Sequence, residues 1–381
     1  MILKGIDNVR SYDTTFKNKR LGLITSISGV DNNFNSTIDI LNERYHITAL
    51  FAPEHGVRGD KDAGQTVATY IDEETGLPVY SLYREDSKRF TKEMLEKVDA
   101  IVYDIQDLGV RYYTFISTMI YAMEDCAKFE KELIILDRPN PLGGDIIEGN
   151  VLEPEFKSFV GAYPIATRYG LTIGELASMV NEEEKLGCKL TIIPCSGLNR
   201  NDLFPETKQT FIMPSLGMPR FDTALMYTGT CLFEGTNVSE GRGTSCPFEI
   251  IGAPYIDSRR LLTYLRTRNL LGVAFTPAYF TPTSSKHKGE FCQGVHIHVT
   301  DYHSFESYKT GLVVLEAIRN LFPENFSFLE PVSAGKKPFI SLLAGSSIFE
   351  DESWNSNEIL EKNQIQLEKF KQKKVKYHLY S

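Results

Sequence analysis

Glu54 is the carboxyl group of this 381-residue chain best suited to proton transfer. It stands in Pro53-Glu54-His55-Gly56-Val57-Arg58-Gly59, directly after the apolar run Tyr45 to Phe51. A carboxyl at the edge of a cleft, partly withdrawn from water, can keep its proton to neutral pH and then donate it. Glycoside hydrolysis uses such an acid together with a second carboxylate. Two further segments have the same make-up. They are Asp104-Ile105-Gln106-Asp107-Leu108-Gly109-Val110-Arg111-Tyr112-Tyr113 and Asp137-Arg138-Pro139-Asn140-Pro141, each again following an apolar run. A fourth lies in the second half, Phe233-Glu234-Gly235-Thr236-Asn237-Val238-Ser239-Glu240-Gly241-Arg242-Gly243-Thr244. Its glycines permit tight turns and close approach of backbone to a ligand.

Each segment also has a plain structural reading. Asp137 and Arg138 can form an ion pair that orders their loop. Asp104 and Asp107 can cap the helix that follows them. Glu175 completes a capping box with Thr172 at the start of a helix. His296 and His298, two apart on a strand, face one side and read as packing rather than as a metal pair.

Loops of this kind need a rigid scaffold. Apolar runs at Leu21–Thr25, Tyr45–Phe51, Pro78–Tyr83, Ala100–Asp104, Leu133–Asp137 and Leu190–Pro194 read as short buried strands. Helical stretches at Thr37–Glu43, Lys92–Lys97 and Thr114–Phe129 alternate with them. That alternation implies an α/β fold with a mostly parallel sheet covered on both faces. Ligands then bind beyond the carboxyl ends of the strands, where three of the four polar segments fall. The Pro-, Asn- and Gly-rich stretch Ser196–Met218 suggests a domain boundary near residue 200, giving domains 1–200 and 201–381. The second half mixes helices at Ser258–Arg268 and Phe305–Leu321 with strands at Val273–Phe275 and Val295–Thr300. Asn357–Lys374, ending in lysines, reads as a solvated terminal helix.

The net charge is −9, so nothing electrostatic favours nucleic acid or an anionic membrane as partner. No run approaches the roughly 20 apolar residues of a membrane span. The six cysteines are scattered without a Cys-x-x-Cys pair, which suggests reduced thiols rather than a disulfide framework or structural zinc. With no signal-like h-region at the start, the expectation is a cytoplasmic protein, or an exported one if a leader preceded these residues. No Gly-rich dinucleotide or P-loop motif supports a nucleotide cofactor, and no Gly-x-Ser-x-Gly elbow supports a serine nucleophile.

Taken together, Pro53-Glu54-His55-Gly56, Asp104-Ile105-Gln106-Asp107, Arg111-Tyr112-Tyr113-Thr114, Asp137-Arg138-Pro139-Asn140-Pro141, Thr172-Ile173-Gly174-Glu175-Leu176-Ala177, Glu234-Gly235-Thr236-Asn237 and Ser239-Glu240-Gly241-Arg242-Gly243-Thr244 resemble the NamZ-like exo-β-N-acetylmuramidases over nearly the whole chain. The resemblance implies a Rossmann-like domain joined to a smaller α/β auxiliary domain, with the active site in the cleft between them. It implies release of N-acetylmuramic acid from the non-reducing end of peptidoglycan-derived disaccharides or muropeptides, with no metal and no cofactor. It points to Glu54 as catalytic acid. The chain departs from the family pattern at Pro214-Ser215-Leu216-Gly217-Met218-Pro219, where Pro-Ser-Pro-Asn-Met-Pro is usual, and at Thr25-Ser26-Ile27 and Arg84.

For the second carboxylate, Glu234, Glu240, Asp107 and Asp137 are the candidates, and Glu240 is preferred because it lies inside the glycine-flanked stretch. Arg242 and Arg58 are the expected partners of the lactyl carboxylate of muramic acid. His55, Asp104, Asp107, Arg111, Tyr112, Asp137, Arg138, Asn140, Glu234 and Asn237 are expected to line the substrate site. The alternative is a non-catalytic muropeptide-binding protein on the same fold. The presence of Glu54, Glu240 and Arg242 favours the enzyme.

Overall fold

A computed structural model describes residues 2–59, 64, 69–351 and 353–381. The chain forms two compact units. One contains residues 1–146, 169–219 and 373–381, and the other residues 147–168 and 220–372. The chain therefore passes between units more than once, where the sequence suggested a single crossing near residue 200. The segment 147–168 carries two short strands whose Glu148 accepts Arg168 at 2.7 Å and the Tyr308 backbone N–H at 2.9 Å, so its hydrogen bonds lie within the second unit.

The first unit is built on seven strands: β1 (Leu21–Thr25), β2 (Ile47–Ala52), β3 (Tyr70–Ile71), β4 (Pro78–Ser81), β5 (Ala100–Asp104), β6 (Glu132–Leu136) and, after the two strands of the exchanged segment, β9 (Lys189–Ile193). The exchanged strands are β7 (Glu148–Val151) and β8 (Ala166–Arg168). The sheet order is β3-β4-β2-β1-β5-β6-β9, parallel throughout except that β3 runs antiparallel to β4. Without β3, the six parallel strands in chain order read 3-2-1-4-5-6, the doubly wound Rossmann order. Every residue of β1, β5 and β6 is buried, as expected for strands covered on both faces. The order reverses beside β1, between β1 and β5, and the carboxyl ends of strands at such a switch point form the binding crevice of this architecture.

The helices Thr37–Arg44 and Ile173–Glu183 of the first unit start at side-chain caps. Ser36 accepts the Ile38 N–H, and Thr172 with Glu175 forms the expected capping box. The terminal helix Ser356–Lys374 is largely exposed, as expected, but its last residue departs from that pattern. Lys374 is buried, not solvated, and its ammonium donates to the carbonyls of Gly144 and Gly170. The tail beyond it is tied into the same unit, with Leu379 N–H on Glu175 at 2.7 Å and Arg200 N–H on the Ser381 carbonyl at 2.9 Å.

The second unit has an antiparallel sheet of β10 (Ile250–Ala253), β11 (Val273–Phe280) and β12 (Cys292–Val299) in the order β10-β12-β11. The helices Phe221–Thr230 and Ser307–Leu321 pack backbone to backbone. A Cβ on Gly229 would come within 2.1 Å of the Ser307 carbonyl, so only glycine fits there. All six cysteines are free. No helix among the described residues is long and apolar enough to cross a membrane.

Candidate active site

The loops that follow β2 and β5 meet over the end of β1, on the carboxyl side of the sheet. Pro53 to Gly56 form a turn closed by the Gly56 N–H on the Pro53 carbonyl at 3.1 Å. His55 sits in it with φ +73°, a left-handed conformation that costs a non-glycine residue on the order of 1 kcal/mol. Its ring meets Phe115 edge-on at 6.2 Å, which holds it there. This turn sets the direction of Glu54. One carboxylate oxygen accepts the Thr114 hydroxyl at 2.6 Å and the other the Gly64 N–H at 2.8 Å. Burial, and next to it the Glu54 carboxylate, push the Tyr83 hydroxyl well above its ordinary pKa. The Lys88 ammonium lies 3.5 Å over the Tyr83 ring. Burial lowers its pKa, and the charge of Glu54 opposes that shift. Glu54 is thus surrounded by Thr114, Tyr83 and Lys88. None of the three was singled out as a site residue by sequence, although Tyr83 stands just beyond the end of β4 and Thr114 directly before the helix Phe115–Lys128.

Several expected site residues are used up inside the first unit. Asp104 and Arg138 are both fully enclosed and pair bidentately at 2.5 and 2.8 Å. Asp104 also accepts the Thr37 hydroxyl, and Arg138 reaches the Val30 carbonyl at 3.1 Å. Arg138 therefore pairs with Asp104, not with the adjacent Asp137. Asp137 takes the Gly174 N–H at 2.9 Å and the hydroxyls of Thr172 at 2.8 Å and Tyr380 at 2.5 Å, so it caps the helix Ile173–Glu183 and anchors the tail. Asp107 accepts the Gly109 N–H at 2.7 Å and the Tyr169 hydroxyl. Asn140 bridges backbone, donating to the Leu171 carbonyl and accepting from Leu142 N–H, both at 2.9 Å. Arg111 and Tyr112 are buried. The bonds of Asp104, Arg138, Asp137 and Asn140 thus hold the strand-end loops closed. Arg58 is committed as well. It grips Asp72 with two bonds of 3.1 and 2.9 Å and touches Glu74 at 2.9 Å.

Burial raises Asp107 and Asp137 to about 6 each. An unfolded aspartate titrates near 3.9. The stability each contributes through its proton is therefore complete below about pH 4 and is lost as pH rises through about 6. Asp107→Asn keeps an acceptor for Tyr169 and removes the charge. We expect it to gain about 2–3 kcal/mol on the parent between pH 4 and pH 8, measured by denaturant unfolding at both. A pH-independent difference would mean that Asp107 is ionised without penalty.

In the second unit the segment 231–242 gathers two carboxylates and two cations. Glu234 lies in the 3-10 turn Cys231–Gly235, and its Oε1 accepts Arg242 Nε at 3.0 Å and Nη2 at 2.7 Å. The Arg242 guanidinium stacks 4.9 Å from the Phe248 ring and reaches Glu240 at 3.6 Å. Lys286 lies 2.8 Å from Glu240. Glu240, the preferred second carboxylate on sequence, is only 1% exposed, whereas the side chain of Glu234 is 20% exposed and that of Arg242 26%. The outward carboxylate is therefore Glu234. Burial pushes its pKa up against the pull of Arg242, and the charge of Glu240 adds to the rise. Asn237 is held within the second unit, donating to the Asn325 carbonyl at 2.7 Å and accepting the Tyr255 hydroxyl at 2.9 Å.

Cys246, Glu249 and His296 bring one ligand-type atom each within 4.8 Å of one another, beside His298. Glu249 is already held by Arg220 and the Thr223 hydroxyl, and these contacts with His296 lower its pKa to about 2. A guanidinium occupies the place where a cation would sit.

Two family models account for most of the chain. The model for the N-terminal part of the exo-β-N-acetylmuramidase NamZ matches residues 21–222, and that for its C-terminal part residues 225–380. The peptidoglycan β-N-acetylmuramidase NamZ of Bacillus subtilis (strain 168) is 47% identical over 382 residues, spanning 99% of this chain and 91% of that protein. A solved DUF1343-family protein of Bacteroides fragilis matches with a TM-score of 0.90 at 36% identity, and a second from that organism with 0.79 at 31%. Both comparisons cover 100% of this chain and 99% of the other.

Proposed function

Because this chain belongs to the NamZ exo-β-N-acetylmuramidase family, we propose that it removes N-acetylmuramic acid from the non-reducing end of peptidoglycan-derived disaccharides or muropeptides, with Glu54 as proton donor. The observation that carries the assignment of Glu54 is its setting. It is a buried carboxyl on the turn that follows β2, the neighbour of switch-point strand β1, with a threonine hydroxyl on one oxygen and a backbone N–H on the other. A hydroxyl donates or accepts as needed, so the Thr114 contact survives both protonation states of the acid. Protonation of the leaving oxygen by Glu54 is the step that glycoside hydrolysis asks of such a group.

Glu234 supplies the second carboxylate. Arg242 opposes the rise that burial imposes on the Glu234 pKa, and the carboxylate is placed to stabilise the oxocarbenium-like transition state or to orient the substrate's 2-acetamido group. Arg242, partly exposed and backed by the Phe248 ring, is the cation for the lactyl carboxylate. Arg242→Lys loses the planar fork. The kcat/KM preference for an N-acetylmuramide over an N-acetylglucosaminide then falls by about tenfold. An unchanged preference clears Arg242 of the role.

Exo-action is tested with two disaccharides. One carries N-acetylmuramic acid at its non-reducing end and yields both free sugars. The other has the two sugars in reverse order and stays intact. Equal cleavage of the two overturns the assignment.

A further inference from the structure

Lys286 belongs to no motif of the sequence, yet it reaches the segment that carries Glu234. Its ammonium donates to the carbonyls of Phe233 at 2.6 Å, Val238 at 2.8 Å and Thr236 at 3.0 Å. Phe233 directly precedes Glu234, and Thr236 and Val238 follow it closely, so the contacts pin the backbone on both sides of the carboxylate. An ammonium has three protons, and the three carbonyls take them. Glu240 Oε2, 2.8 Å away, receives the charge without an aligned hydrogen bond. That arrangement explains why a carboxylate is buried there. Glu240 is the counter-ion of Lys286 and Arg242, placed behind them rather than facing outward. The enclosed Glu240 carboxylate would be costly without these cations, and an ammonium alone, without its three carbonyls, would not shape the loop.

We infer that Lys286 is a positioning residue for Glu234, holding the 233–238 segment through three carbonyls, with Glu240 as its buried counter-ion. The inference rests on the reading of Glu234 as second carboxylate. The geometry also fixes which substitution is informative. Arginine keeps the charge but spreads its donors over a plane, and it cannot converge three bonds on one point. Methionine keeps length and removes both charge and donors.

The groups facing Glu234 are Arg242, Glu240 and Lys286, with Tyr227 and Cys231 from the preceding helix and turn. Lys286 is one of the cations that hold the carboxyl down against burial. Lys286→Met is therefore expected to cut kcat on the order of a hundredfold and to move the acid limb of the kcat–pH profile to higher pH. Lys286→Arg is expected to cut kcat by a similar factor and leave the limb in place. Loss of loop order alone lowers activity in both variants without moving the limb in either. An acid limb at the parent's pH in Lys286→Met overturns the inference. Should Lys286→Met not fold, Lys286→Gln, which keeps two N–H donors and no charge, carries the same expectation for the limb. Glu234→Gln separates the two levels. If it retains the parent's turnover, the reading of Glu234 fails. If it is inactive while the uncharged Lys286 variant keeps the parent's limb, only the positioning role fails.

Discussion

Replacing Glu54 with glutamine lowers kcat by roughly 10²–10⁴-fold while leaving the unfolding transition close to that of the parent. Glutamine keeps the size and one acceptor oxygen, so Thr114 or the Gly64 N–H retains a partner, and only the transferable proton is lost. The loss appears in kcat more than in KM, because the bond to the leaving oxygen strengthens in the transition state. It is smaller on substrates with acidic phenolic leaving groups, which need less protonation. A phenolate and a sugar leaving group measured side by side therefore distinguish a proton donor from a bracing residue. If Glu54 only braced its turn, the variant would melt early and its folded fraction would turn over normally on both.

The second large effect concerns stability. Asp104→Asn is expected to cost about 3–5 kcal/mol in denaturant unfolding, because it leaves the Arg138 guanidinium enclosed without its charge partner. The pair spans the ends of β5 and β6, and Thr37 ties the same carboxylate to the helix after β1. Replacing both partners, Asp104→Leu with Arg138→Met, recovers most of the loss, since two apolar groups strand no charge. A cost below about 1 kcal/mol for the single change would mean that water reaches Arg138.

These two cases show what was legible in the sequence. The strands β1, β5 and β6 were readable because burial on both faces demands unbroken apolar runs. β3 was not, since it is two exposed residues paired with one edge strand. The exchanged strands β7 and β8 were also missed, because they pair only with each other and are four and three residues long, too short to show a periodicity. The site was harder. Acidic and basic residues after strand ends look alike whether they face a ligand or close a loop. Glu54 was placed correctly beyond the β2 end, yet Asp104, Asp107, Asp137 and Arg138 share its sequence context and turn inward. Their partners separate them, and those lie as far away as Tyr380, 243 residues from Asp137. For the same reason Glu240 looked more exposed to a ligand than Glu234, although the fold reverses them. Lys286 gave no signal at all, because its three acceptors are backbone carbonyls, which every sequence possesses.

The central claim is that this chain hydrolyses terminal β-linked N-acetylmuramic acid through Glu54. Its most direct test is incubation of the protein, and of Glu54→Gln, with a chromogenic β-N-acetylmuramide, following chromophore release together with free N-acetylmuramic acid. The account predicts steady turnover by the parent, no comparable release from the matching β-N-acetylglucosaminide, and a loss of at least about a hundredfold in the variant. Binding of N-acetylmuramic acid with no release by the parent would contradict it, and would leave a muropeptide-binding protein in place of the enzyme.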